Sequence, residues 1–98
     1  MGIDLKDSII EQIKEIGEKY NINKIVLFGS RARSDNNKKS DIDLAIYYEC
    51  ELKKGSIFAD IDDIETLLKF DIIFMNAELS YEILQNIEKD GVTLYEKI

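Results

Sequence analysis

Three short apolar runs decide what this chain can become: KIVLF at residues 24–28, the alternating SDIDLAIYY at 40–48, and FDIIFM at 70–75. Each is rich in branched and aromatic residues and too short for a helical core segment, so each predicts a strand. The first is apolar after Lys24 and is ended by Gly29, which reads as a buried strand. In the second, side chains alternate across the strand, so Ile42, Leu44 and Ile46 fall on one face and Asp41, Asp43, Ala45 and Tyr47 on the other. A sheet must cover its apolar face, and the intervening segments supply helices to do it. Leu5, Ile9, Ile13, Ile16 and Tyr20 recur at helical spacing and predict a helix over residues 5–19, with Asp4 as its cap. Ser56 is placed to cap a helix carrying Ile57, Ile61, Ile64 and Leu68. Ser80 is placed to cap another that runs through Lys89, with Gly91 just past its end and VTLY as a short edge strand. The expected fold class is α/β (α+β): a small mixed sheet with helices packed on it, in one domain over residues 1–98.

Composition closes several routes to function. The chain has no histidine, which excludes a Ser-His-Asp or Cys-His nucleophile and any histidine metal site. Chemistry must rest on carboxylates, hydroxyls, lysines or arginines. The one cysteine, Cys50, can form neither an internal disulfide nor a cysteine-rich zinc site and reads as an ordinary small residue. A net charge of −7 repels phosphate backbones, so long nucleic acid is not an expected partner, whereas a basic protein surface would be attracted. The apolar runs fall far short of the ~20 residues a bilayer demands. The opening MGIDLK has Gly2, but Lys6 stands where a myristoylation signal wants Ser or Thr, and there is no secretory signal. A cytoplasmic location is expected.

Two stretches carry chemistry. Asp41 and Asp43 lie two apart on a predicted strand and project from one face, where their repulsion is relieved by a proton or a cation. Oxygen donors of this kind suit magnesium or manganese, which keep several waters and accept substrate phosphates. Asp71 near the start of the third predicted strand can bring a further carboxylate to the same sheet edge, and three such groups can hold two ions for an in-line phosphoryl displacement. In FGSRAR, Gly29 and Ser30 follow a strand and precede helix-compatible residues, a place where backbone N–H groups and a hydroxyl can meet a phosphate. Arg31 or Arg33 would add a charge-assisted contact. Taken singly, each piece also occurs as ordinary structure: a solvated strand edge, a turn, a charged helix face. Tyr47 shares the aspartate face but reads as a packed strand tyrosine. Neither a P-loop nor a G-x-G-x-x-G fingerprint is present. The combination is what discriminates.

That combination resembles the minimal nucleotidyltransferase (MNT) domains of the DNA polymerase β superfamily, whose signature is G-S-x-A-R-G followed after a short loop by S-D-x-D-L. Here it stands as GSRARS and SDIDL, with FDIIFM in the place of the third acidic strand. The resemblance implies the polymerase β-like fold and transfer of a nucleoside monophosphate from a triphosphate such as ATP to a hydroxyl, with release of pyrophosphate. It implies that Gly29 and Ser30 hold the triphosphate, that Asp41 and Asp43 bind two magnesium ions, or manganese in their place, and that Asp71 completes one metal site and helps activate the acceptor. Arg33 is the weaker choice for a phosphate contact. Short stand-alone members resemble antitoxins paired with HEPN-domain toxins, some of which receive AMP on a tyrosine. With no room for a second domain, the acceptor is expected on another chain, in a hetero-oligomer. An antitoxin that neutralises its partner by binding alone is the rival reading; an aminoglycoside-type modifier fits less well because it carries a further substrate domain. One departure stands out: Ser34 replaces the usual glycine after the second arginine, and a serine there is strained if the position needs positive φ.

Overall fold

The computed structural model describes residues 3–37, 39–75 and 79–97; Gly2 and residue 38 of the polar loop lie outside them. Eight elements follow one another: α1 (Asp7–Tyr20), β1 (Lys24–Phe28), α2 (Ser30–Arg33), β2 (Ile42–Tyr47), α3 (Glu51–Asp62), β3 (Phe70–Phe74), α4 (Tyr81–Asp90) and β4 (Val92–Glu96). The strands form one mixed sheet in the order β3-β2-β1-β4. β1 runs antiparallel to both β2 and β4, while β2 and β3 are parallel. A parallel pair cannot be joined by a tight turn, and α3 makes the crossover.

The sheet has a thick side and a thin side. Ile25, Leu27, Ile42, Leu44, Ile46 and Leu94 pack against Ile9, Ile13 and Ile16 of α1 and Ile57 and Ile61 of α3. Most of these side chains are wholly buried, and each contributes roughly 1.5–3 kcal/mol relative to exposure. On the opposite face Val26, Phe28 and Ala45 meet Ile87 of α4, with Ile73 and Met75 only partly covered. The alternation read from SDIDLAIYY is therefore realised: its aliphatic residues enter the larger core, and Asp43, Ala45 and Tyr47 share the thinner face.

Helix ends show where local signals won and lost. α1 stops in a Schellman turn: Asn21 sits in the left-handed region at φ 55°. Its N–H donates to Glu18 C=O at 3.2 Å, and that of Ile22 donates to Gly17 C=O at 2.9 Å. Its beginning departs from expectation. Lys6, not Asp4, holds the cap position, without a side-chain cap. The Asp4 carboxylate instead accepts from Asn36 Nδ2 at 2.8 Å and lies 3.7 Å from Arg31. Ser80 does cap α4, its Oγ accepting from Ile83 N–H at 3.3 Å. α3 begins five residues before the expected Ser56 cap, because Glu51, Lys53 and Lys54 extend it as a solvated turn with a Lys54–Glu51 ion pair at 2.9 Å. Ile64 and Leu68 lie beyond its end but still pack on the core.

Candidate active site

Strand register brings the chemistry-bearing residues into one row. Phe28, the last residue of β1, lies opposite Asp43, and Asp43 in turn lies opposite Asp71 of β3. Gly29, which follows Phe28, is thus beside Asp43. It adopts φ 79° and ψ −158°, a conformation open in practice to glycine. A Cβ there would also meet the Asp43 carboxylate and force that side chain to shift. The chain then coils into the single turn of α2, in which the N–H groups of Ala32 and Arg33 both donate to Gly29 C=O, at 3.1 and 3.2 Å. The turn ends at Ser34, whose φ is 64°. That is the left-handed conformation the signature's glycine would serve, and a residue with a Cβ pays roughly 1–2 kcal/mol to adopt it.

Asp43 is half-buried, and its pKa is raised to about 6. Burial is the largest cause, followed by the charges of Asp71 and then Asp41, with Arg33 acting in the opposite direction. Asp41, exposed, sits immediately before β2; Asp71, exposed, is the second residue of β3. Asp43 thus feels both of the other carboxylates expected to act with it. As they stand they are not yet a closed cage: among the described residues no three acidic, cysteine or histidine groups are near enough to share one ion. The donor set nevertheless fits a hard divalent cation. All donors are oxygens, the like charges repel, and the outer two groups are exposed and free to rotate inward. The grooves lined by Gln12, Lys19 and Asp60 and by Leu5, Ile9 and Leu68 include none of these carboxylates.

The two arginines part company. Arg31 is buried and turned away from the row: its Nε donates to Ser40 C=O at 3.1 Å and its Nη1 to Asp4 C=O at 2.9 Å. It does not present a phosphate contact. Arg33 is half-exposed, and its charge is felt at Asp43. Its guanidinium already holds Asp35 (Nε to Oδ2, 2.8 Å) and Asp90 at the end of α4 (Nη1 to Oδ2, 3.1 Å). Asp90 was not singled out by sequence, and nothing in the pattern of α4 points to it. Tyr47 is part-buried, with Lys24 over its ring at 5.4 Å, as suits a packed strand residue.

A glycine turn thus stands against a carboxylate row in this mixed sheet, as the resemblance to nucleotidyltransferases of the polymerase β kind implies. The chain belongs to that family: residues 11–98 match polymerase beta, nucleotidyltransferase. Among its relatives are two proteins of Methanocaldococcus jannaschii. "Putative protein adenylyltransferase MJ0126" is 33% identical over 90 residues, covering 89% of this chain and 91% of that one. "Putative protein adenylyltransferase MJ0128" is 34% identical over 93 residues with the same coverage. The fold is also that of a solved toxin–antitoxin with AMP-PNP: TM-score 0.70 at 17% identity, over 90% of this chain and 73% of the other. A variant of the toxin–antitoxin MntA-HpeT superposes with TM-score 0.69 at 15% identity, over the same shares. Among the described residues no helix is long and apolar enough to cross a membrane.

Proposed function

We propose that this chain, acting over residues 1–98 as a single minimal nucleotidyltransferase domain in the cytoplasm, moves AMP from ATP to a hydroxyl of a partner protein. The partner is a HEPN-domain toxin, the acceptor a tyrosine, and the modification silences the toxin. The observation that carries this reading is the row formed by Gly29, Asp43 and Asp71 across adjacent strands, in a member of a nucleotidyltransferase family. A protein acceptor is supported by the names of the M. jannaschii relatives and by the toxin–antitoxin fold neighbours.

The residues divide the work. Gly29 lets the backbone approach the triphosphate, and Ser30 donates its hydroxyl to a phosphate oxygen. Asp41 and Asp43 would hold two magnesium ions, and Asp71 would complete one site. Divalent ions held by these carboxylates would neutralise charge on the phosphates and on the departing pyrophosphate. Asp71 takes the proton of the acceptor hydroxyl as its oxygen attacks the α-phosphorus and the bond to the bridging oxygen breaks. Arg33, tied to Asp35 and Asp90, contributes its positive charge to the phosphate side.

Incubation with α-labelled ATP, magnesium and the protein encoded by the adjacent gene should label that protein. Lack of transfer across metals and nucleotides would defeat the proposal. One observation favours the rival reading of neutralisation by binding alone: Arg33 is already engaged by two carboxylates. Asp41→Asn with Asp43→Asn separates the two, since neutralisation that survives both changes must come from binding.

A further inference from the structure

The geometry points to Arg31 as a positioning residue that sets the distance between the α2 turn and the start of β2. This inference rests on the transferase reading above. The two halves of the site arrive from different directions: Gly29 and Ser30 lead into α2, whereas Asp41 and Asp43 follow a polar loop in which Asn36 Nδ2 donates to Asn37 C=O and Asn37 N–H donates to Ser40 Oγ. Something must fix that loop's far end relative to its near end. Arg31 does so from inside the protein, with a side chain only 5% exposed.

Its guanidinium reaches across the loop to Ser40 C=O, the carbonyl directly before Asp41, at 3.1 Å. A second arm donates to Asp4 C=O at 2.9 Å, and the bond is reciprocated: Asp4 N–H donates to Arg31 C=O at 3.0 Å. The Asp4 carboxylate lies 3.7 Å from Nη1 and also accepts from Asn36 Nδ2 at 2.8 Å. Residues before α1 therefore form a strap, and one planar fork joins that strap, the α2 turn and the carboxylate-bearing strand. A guanidinium suits this task because its donors are rigidly spaced and it stays charged when buried. Misplacement of catalytic groups by about an ångström can cost two orders of magnitude in rate, so a buried spacer here bears on turnover. Because the fork faces the strap and the loop, its loss acts on alignment, not on phosphate affinity.

Arg31→Met and Arg31→Lys, in the full chain with its partner protein, test this. Methionine keeps bulk and loses every donor; lysine keeps charge and can satisfy part of the network. The expected result is a fall in kcat for AMP transfer of about tenfold or more in Arg31→Met, with KM for ATP changed less than about threefold, and partial recovery in Arg31→Lys. Hydrogen exchange should quicken by at least about tenfold at residues 40–43 and at Asp4 while α4 keeps its protection. A raised KM at unchanged kcat would assign Arg31 to phosphate binding and overturn the proposal. A lowered melting temperature with unaltered kcat in the folded Arg31→Lys variant would make it a purely structural residue and overturn it as well. If the wild-type chain transfers no AMP, the transferase reading fails. Exchange then decides the spacing role alone, and unchanged rates at residues 40–43 would refute it.

Discussion

Replacing Asp43 with asparagine should stabilise the metal-free protein while removing its activity. The magnitude follows from the raised pKa. Asp43 titrates near 6 in the fold against an ordinary value of 3.8, so folding favours its protonated form. Stability linked to this group is fully present below the unfolded value and is lost as pH rises from 3.8 through about 6. A shift of roughly two units corresponds to about 3 kcal/mol for a fully screened-off site, and half-exposure reduces it to about 1 kcal/mol. An asparagine side chain cannot ionise and escapes that loss. Urea denaturation in EDTA at about pH 7.5 should therefore show Asp43→Asn more stable by about 1 kcal/mol, or roughly 5 °C in Tm, with the gain vanishing near pH 4. Saturating magnesium should shrink the gap at neutral pH by stabilising the wild type. A variant less stable than wild type at neutral pH, or a gain that ignores pH, would refute the claim that burial and like charge strain this carboxylate.

Three further substitutions test the local geometry. Gly29→Ala should cost about 2 kcal/mol from its φ of 79°, and by displacing the Asp43 carboxylate should abolish AMP transfer; a Tm within a degree or so of wild type would contradict it. Ser34→Gly should gain about 0.5 kcal/mol by relieving the left-handed φ of 64°, read as a rise in urea midpoint at unchanged m-value. Removal of the α4 cap by Ser80→Ala should cost about 1 kcal/mol in the same assay.

Much of this structure was legible in residue order because the decisive signals were local. The strands announced themselves by period-two alternation and branched side chains, and the parallel register that sets Asp43 beside Asp71 fits the expectation that the third strand could lie along the second. The serine that caps α4 needs only a neighbour three residues on. What escaped depended on distant partners. Asp4 looked like a cap, but its carboxylate serves Asn36, 32 positions away, and its carbonyl serves Arg31. Arg33 reads from sequence as a phosphate contact, and its ion pair with Asp90, 57 positions away, has no signal there. The early start of α3 was hidden for a different reason: only Ile57 and Ile61 of that helix are buried, so its first turn carries no apolar period to read.

Whether three acidic side chains from two strands serve one divalent centre is decided most directly by manganese titration, followed by electron paramagnetic resonance, of the wild type and of Asp41→Asn, Asp43→Asn and Asp71→Asn. Each single change should weaken manganese binding by about tenfold or more, the loss expected on removing one ligand of a few. An Asp71→Asn protein that binds manganese as tightly as wild type would remove β3 from the centre and contradict the proposed chemistry.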